Sequence, residues 1–353
     1  MSSARLIVNG LRILRNQRGW TQAQLAERAG ISRTAVTAIE GNQLVPSVAI
    51  ALALAEALET SVEAVFGRPP TPAKSAVWAK EPAHPKSPYW HAEVAGRSVL
   101  YPAEVTPMSA LLPDGVAGAG GTPPEGPTMA GETLVIACCD PAAGVLASLF
   151  GRAGGLRLLV LHRSGRQALD LLKRGLVHMA GLHFSTSDEP GRNAETVRDQ
   201  LGDGYQLLRM ARWQEGIAVT PTLKLRSIRA ALRSKLTWIG REPGSGARQC
   251  FDRLFESRRS PRRIARHHRG VAEAVQAGWA DAGVCLRLAS EEAGLDFLPV
   301  QEEAYDVCFP TAILHERRIQ AFLGVVRSPE YRGLLGVLPG YDTSETGNLD
   351  GGN

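Results

Sequence analysis

Between Gly67 and Pro88 the chain carries six prolines, Pro69, Pro70, Pro72, Pro82, Pro85 and Pro88. Each lacks a backbone N–H and fixes φ, so neither a helix nor a central strand can run through the stretch. A chain interrupted in this way folds as separate pieces on either side of a linker. At 353 residues it has room for two or three domains, each large enough to bury a core.

Upstream of the break, TQAQLAERAGISRTAVTAIE, Thr21 to Glu40, reads as two short helices around a tight turn. Thr21 caps the first helix through its hydroxyl, and Leu25, Ala26 and Ala29 share one face of it. Gly30 stands where the chain bends and takes a positive φ without a Cβ clash. Ile31 acts as a hydrophobic staple and Ser32 is a second N-cap. Val36 and Ile39 carry the apolar stripe of the next helix. Its other face offers Arg33, Thr34, Thr37 and Ala38 to solvent. Charge agrees with a phosphate-facing surface: Arg5, Arg12, Arg15, Arg18, Arg28 and Arg33 precede residue 40 against Glu27 alone.

These residues, with LRILRNQRGW before them and GNQLVPSVAIALALAEALETSVEAVF after, resemble the helix-turn-helix of Xre/Cro-type DNA-binding domains over about residues 5 to 66. The resemblance implies double-stranded DNA as partner. Thr21, Gln22 and the backbone near Asn42 would meet phosphates, and Ser32, Arg33, Thr34, Thr37 and Ala38 would face base edges. The glycine usual near position 42 is here Asn42, with Gly41 one place earlier; asparagine tolerates the left-handed region, so the turn is expected to survive. Ala38 is short, which leaves specificity to Arg33 and Thr34. A motif of this kind reads one half-site, so a homodimer is expected.

The apolar run at Leu11–Leu14 is broken by Arg12 and Arg15, and no stretch approaches the roughly 18 to 20 apolar residues of a membrane span. A cytoplasmic protein without membrane contact is the expectation. The cysteines Cys138, Cys139, Cys250, Cys285 and Cys308 form no C-x-x-C pair and have no paired spacing with histidines, so buried thiols and no metal are expected. Trp213, Trp238 and Trp279 lie in apolar context and read as core.

Past the prolines, Tyr89–Val94 and Arg97–Tyr101 read as extended, with Ala95 and Gly96 closing a hairpin inside a small β element spanning 89–112; Pro113–Gly131 is loose and rich in glycine and proline. From Glu132 strands and helices alternate. TLVIACC, LRLLVLH and VHMAGLHF read as strands, and AAGVLASLFGRAG and SGRQALDLLKRG as helices, which argues for a largely parallel sheet covered by helices. YQLLRMARWQEGIAVTP reads as a strand pair crossing to a second unit, and LDFLPVQEEAYDVCFP as the return. Two lobes with a cleft between them follow. The residues from Asp342 on read as a frayed tail.

REPGSGARQCFDRLF, Arg241 to Phe255, places a glycine-rich turn after a strand and Ser245 at a helix N-cap. Unpaired N–H groups and partial positive charge gather there, which suits an anion, with Arg241 and Arg248 as supplements. The spacing fits neither G-x-x-x-x-G-K-[ST], nor G-x-G-x-x-G, nor G-x-S-x-G, so Ser245 is a poor nucleophile and no enzyme activity is expected. The run SRRSPRRIARHHRG, 257–270, lacks interleaved aromatics and reads as a solvated basic face.

Together CDPAAGVLA, HMAGLHF, REPGSGAR, AVQAGWADAGVCLRLAS, GLDFLPVQEEAYDVCFP and LPGYDTSETG resemble the periplasmic-binding-protein-like domain related to molybdate-binding proteins. The resemblance implies an oxyanion, molybdate or tungstate, held between lobes by amides and hydroxyls, with no other cofactor. Candidate contacts are Cys139, Asp140 and Pro141, Ser164 and Gly165, His183, Gly244, Ser245, Gly246 and Arg248, with Tyr305 closing over the ligand. Asp140 would repel an anion unless it caps the helix that follows.

The fold expected is α + α/β. A helix-turn-helix domain spans 1–67 and a linker 68–131. A two-lobed type II binding-protein-like domain spans 132–341, with lobe I at 132–215 and 300–341 and lobe II at 216–299, and a tail spans 342–353. The function expected is a ligand-responsive DNA-binding transcription regulator. A regulator of a small organic acid, and a binding protein or enzyme of molybdenum-cofactor chemistry, are the alternatives.

Overall fold

The structure is a computed structural model that describes residues 9–66, 76–104, 111–117, 129–152 and 154–350. Arg5, Pro69, Pro70 and Pro72, and residues 105–110 and 118–128 of the expected linker, lie outside the described residues. The chain divides into two compact units, Met1–Lys74 and Ser75–Asn353.

Among its described residues the first unit holds five helices, α1 (Leu11–Gln17), α2 (Gln22–Arg28), α3 (Arg33–Glu40), α4 (Val48–Ala57) and α5 (Val62–Phe66). Their apolar faces meet in a core of Leu11, Leu25, Val36, Ile39, Leu54, Leu58 and Val65. The turn between α2 and α3 is built as its sequence dictates. The Thr21 hydroxyl accepts the Gln24 N–H, Gln24 Oε1 accepts the Thr21 N–H, and the Ser32 hydroxyl accepts the Ala35 N–H. Gly30 takes φ +64° to join the helices, and Asn42 at φ 57° closes α3 in the left-handed region that asparagine tolerates.

The second unit begins with β1 (Val77–Trp78), β2 (Pro88–Val94), β3 (Arg97–Pro102) and β4 (Gly115–Val116), a small sheet in the order β1-β3-β2-β4. Ala95 and Gly96 both have positive φ, the requirement of a two-residue turn whose twist matches its strands. Trp90, Ala92, Val94, Val99 and Tyr101 share a core with Val135, Ala137, Leu159 and Leu161, so the hairpin is part of this unit's packing.

The main sheet and its helices run β5 (Thr133–Cys138), α6 (Ala143–Gly151), β6 (Arg157–His162), α7 (Gly165–Lys173), β7 (Met179–Thr186), α8 (Arg192–Leu201), β8 (Tyr205–Val219), α9 (Ile228–Arg233), β9 (Trp238–Arg241), α10 (Gly246–Leu254), β10 (Arg263–Ala265), α11 (His268–Gln276), β11 (Ala282–Leu286), α12 (Arg287–Glu292), β12 (Asp296–Pro310), α13 (Arg317–Arg327), α14 (Pro329–Gly336), β13 (Tyr341–Asp342) and β14 (Leu349–Asp350). The strand order is β10-β9-β11-β8-β12-β7-β5-β6. β5, β6 and β7 are parallel to one another in one lobe, and β9, β10 and β11 in the other. Antiparallel β8 and β12 pair along their whole length and carry the sheet from lobe to lobe. Register shifts at Pro299/Gln301 and Tyr305/Asp306 bend β12 where the lobes meet.

Four details depart from the sequence expectation. Tyr205–Val219 is one 15-residue strand, not a strand pair, because both of its edges are covered: β12 along one, and β11 with β13 and β14 along the other. α8, unassigned from sequence, packs beside β7 with Asn193 buried beneath it. The segment from Asp342 to Asp350 is not frayed. It pairs with β8, its Thr346 is buried, and Arg209 binds both Asp306 and Glu345. Trp213 and Trp238 are core, but Trp279 is 66% exposed, at the turn after α11. No helix among the described residues is long and apolar enough to cross a membrane.

Candidate functional site

On the first unit, Thr21, Ser32, Arg33, Thr34, Thr37 and Asn42 are exposed, and Ala38 is half-buried at the foot of the same face. The face is braced from behind. Arg15 grips both oxygens of Glu40, at 2.6 and 3.1 Å, and Gln22 Nε2 donates to Glu40 Oε2 at 2.9 Å. Thr37 Oγ1 lies 3.1 Å from Gln22 Oε1. Burial would raise the Glu40 pKa, but its bonds to Arg15 and Gln22 outweigh that and hold it below the ordinary carboxylate range. Both ends of the Gln22 amide are thus committed within the domain.

In the second unit the turns that follow parallel strands of both lobes converge, the usual place for a ligand in an open α/β sheet. Cys139 and Asp140 follow β5, Ser164 and Gly165 follow β6, His183 stands on β7, and Gly244, Ser245 and Gly246 follow β9. The lobes are closed on one another here. A Cβ at Gly246 would stand 2.3 Å from His183 Cε1, and one at Gly244 would stand 2.8 Å from Arg166 Cδ. Only glycine permits that approach.

Cys139 Sγ lies 3.1 Å from His183 Nε2, and His183 Nδ1 lies 2.7 Å from Glu303 Oε2. Glu303 is anchored in turn by Trp213 Nε1 at 2.9 Å and Gln301 Nε2 at 2.6 Å. Burial alone would lower the His183 pKa, but Cys139 and Glu303 hold it well above the ordinary histidine value. Glu215 stands beside Glu303, and burial followed by repulsion from that carboxylate pushes its pKa well up. One carboxyl of the pair keeps its proton so that the other can serve His183.

Around this hydrogen-bonded series lie buried polar atoms with no partner among the described residues: the donor Nη1 of Arg241 and both ring nitrogens of His268, one donor and one acceptor in the neutral ring. Arg241 is 1% exposed and spends Nε and Nη2 on Glu242 at 3.0 and 3.1 Å. His268, at the start of α11, is also 1% exposed, and burial together with Arg241 drives its pKa well down. An unpaired polar group inside a protein costs about 1 to 3 kcal/mol, so these atoms call for a partner.

Several candidates do other work. Asp140 does not cap α6, whose N-cap is Ala142, but closes the turn before it, its Oδ1 accepting the Ala142 N–H at 2.8 Å and the Tyr341 hydroxyl at 2.6 Å, and burial raises its pKa. Pro141 is buried behind it. The Ser245 hydroxyl is used within its own turn, accepting from Arg248 N–H and donating to the Glu242 carbonyl. The Gly246 and Ala247 amides stay outside the helix ladder. The Arg248 guanidinium binds Asp252 on its own helix and Ser260 beyond the helix end. Tyr305 lies beneath the sheet, stacked on Trp213 at 4.4 Å, and does not cover the cluster. Sequence reasoning missed Glu303, Glu215 and His268; the last sits in a run of arginines that reads as solvated.

The family described as the PBP superfamily domain matches residues 147–327, and that described as helix-turn-helix matches residues 11–65. The chain is similar to the uncharacterised protein YvgK of Bacillus subtilis (strain 168), with 26% identity over 186 residues, 50% of this chain and 60% of that protein. It is also similar to an uncharacterised protein in the ferredoxin 2Fe-2S gene 5′ region of Clostridium pasteurianum, with 32% identity over 87 residues, 23% of this chain and 74% of that one. Among solved structures it is similar to a putative phosphate ABC transporter substrate-binding protein with bound phosphate from Clostridium perfringens, with a TM-score of 0.46 and 11% identity, covering 58% of this chain and 96% of the other. The chain thus spans 60% of the length of the first of these relatives.

Proposed function

This chain belongs to the PBP superfamily and joins that domain to a helix-turn-helix, the make-up of a DNA-binding regulator with a ligand-binding domain, and on that premise we propose that its ligand is a small oxyanion, molybdate or tungstate. The observation that carries the reading is the buried, unpaired Nη1 of Arg241 at the end of β9, next to the glycine turn that opens α10. A dianion there accepts from Arg241 and from the Gly246 and Ala247 amides of one lobe, and from the α7 N-terminus at Gly165 in the other. Because the lobes are closed over the cluster, the anion enters as they part about β8 and β12. Its contacts with both lobes then favour closure.

Two copies, each placing Arg33 and Thr34 against one half-site, would read a near-palindrome with half-sites about 34 Å apart. Anion binding then shifts how the paired helix-turn-helix domains are spaced.

Calorimetric titration of the full chain with molybdate, tungstate, sulfate and phosphate tests the ligand. Molybdate or tungstate is expected to bind with one site per chain. Arg241→Gln is expected to weaken binding by about 2 kcal/mol, roughly thirtyfold, as a charge-assisted hydrogen bond is lost. Absence of binding by all four anions, or equal binding by Arg241→Gln, contradicts it. On the DNA side, Arg33→Ala is expected to cost ~2 kcal/mol and to relax base preference in a binding-site selection.

A further inference from the structure

The interlobe cluster also has the composition of a metal site, and we propose that Cys139, His183 and His268 together bind a borderline divalent cation, Zn²⁺ in the first instance. The inference goes beyond the oxyanion reading and does not depend on it.

The ligating atoms of the three residues all lie within 4.8 Å of one another, and the residues are 4%, 1% and 1% exposed. A thiolate with two imidazoles suits Zn²⁺, whose ordinary distances of about 2.3 Å to sulfur and about 2.0 Å to nitrogen put S and N about 3.5 Å apart across a tetrahedron. Cys139 Sγ and His183 Nε2 are at 3.1 Å, so they need to part by only a few tenths of an ångström.

Two further observations aim these atoms at a cation. The 2.7 Å contact between His183 Nδ1 and Glu303 keeps the Nδ1 proton in that bond, so Nε2, which faces Cys139 at 3.1 Å, is the nitrogen that gives up its proton to a metal. Carboxylate, imidazole and metal in line is how proteins orient a ligating histidine, and Trp213 and Gln301 hold the carboxylate in turn. Independently, His268 is sealed in the cluster with neither ring nitrogen partnered among the described residues. A metal ion on one of them removes that penalty. Binding releases the protons held on Cys139 Sγ and His183 Nε2, so the bound dication carries one thiolate and two neutral imidazoles. Three protein ligands leave a fourth position for water or for an anion beside Arg241.

The test uses the full chain, stripped with a chelator and titrated with Co²⁺ as a coloured stand-in and then with Zn²⁺. One equivalent of Co²⁺ is expected to give a thiolate-to-cobalt charge-transfer band and tetrahedral d–d bands, displaced by Zn²⁺, with a higher melting temperature when metal is bound. Cys139→Ser is expected to lose the charge-transfer band, while Cys308→Ser, packed beside Asp306 and away from the cluster, keeps it. His268→Gln is expected to weaken binding at least tenfold, and Glu303→Gln, which touches no metal, about 10- to 100-fold. Far-ultraviolet dichroism of each metal-free variant separates a lost site from a lost fold. No band and no metal-dependent rise in melting temperature in the unmutated chain, or an undiminished band in Cys139→Ser, would overturn the proposal. Repeating the oxyanion titration on stripped and Zn²⁺-loaded protein keeps the two readings apart. A cobalt band without anion binding removes the oxyanion and leaves the metal; anion binding without a band does the reverse.

Discussion

In the first unit every residue expected to face DNA lies in one stretch from Thr21 to Asn42 and most of them stand in solvent, whereas the second unit gathers Cys139, His183, Arg241, His268 and Glu303 from distant parts of the chain and buries each of them. The helical face is fixed by neighbours in sequence: a capping box at Thr21, a positive φ at Gly30, a cap at Ser32. The buried cluster is fixed by contacts across the sheet, such as His183 with Glu303, 120 positions apart. Short-range construction suits a rigid reader that keeps its shape alone. Long-range construction suits a sensor, because parting the lobes takes the cluster apart.

Substitutions can break or sharpen this contrast. The largest effect is expected from Trp213→Ala. The ring is buried, stacked on Tyr305 and bonded to Glu303. Its loss should cost about 4 kcal/mol in denaturant unfolding of the second unit and abolish anion binding. Thermal melting of the isolated residues 1–74 is the reference; a full-length variant whose first unit melts early as well would show that the first unit does not keep its fold alone.

Next comes Arg15→Ala, which strands the Glu40 carboxylate, 4% exposed, without its partner. About 3 kcal/mol should disappear from thermal melts of residues 1–74 at neutral pH. The Glu40 pKa is depressed in the folded state, so the pair's contribution is present at neutral pH and fades as pH falls through the depressed value. The variant should therefore lose this part of the acid limb, and an unchanged limb would assign acid lability elsewhere.

Gly246→Ala is sharper still in purpose, though smaller in size. Alanine fits the first turn of a helix, but its Cβ would stand 2.3 Å from His183 of the other lobe. About 2 kcal/mol of overpacking should appear as anion binding roughly thirtyfold weaker, with the fold kept. Unchanged affinity would mean that the closed arrangement is not the one that binds. Smallest is Ser32→Ala, a lost N-cap worth about 1 kcal/mol, read as a slightly lower melting temperature of residues 1–74.

The same contrast explains what could be read from the chain alone. The caps, the turn glycine and the apolar stripe of the helix-turn-helix are local, and residue type at fixed spacing specifies them. The alternating strands and helices of the second unit were legible for the same reason, as was the glycine turn at Gly244–Gly246. Glu215 and Glu303 were not, since a glutamate in a polar run such as QEEAY gives no sign that β12 will be buried between β7 and β8. Nor was His268, which looks solvated among arginines until α11 packs it into the cluster. Arg248 erred the other way: it follows the anion turn in sequence, but the helix carries its side chain toward Asp252.

The central claim is that anion capture by the second unit changes DNA binding by the first. The direct measurement is fluorescence anisotropy of a labelled duplex from the protein's own upstream region, titrated with full-length protein with and without saturating molybdate. A coupling of about 1 to 3 kcal/mol, a 5- to 150-fold change in DNA affinity, is expected, and it should vanish in Arg241→Gln. Superimposable isotherms, under conditions where calorimetry shows the anion bound, would contradict the account.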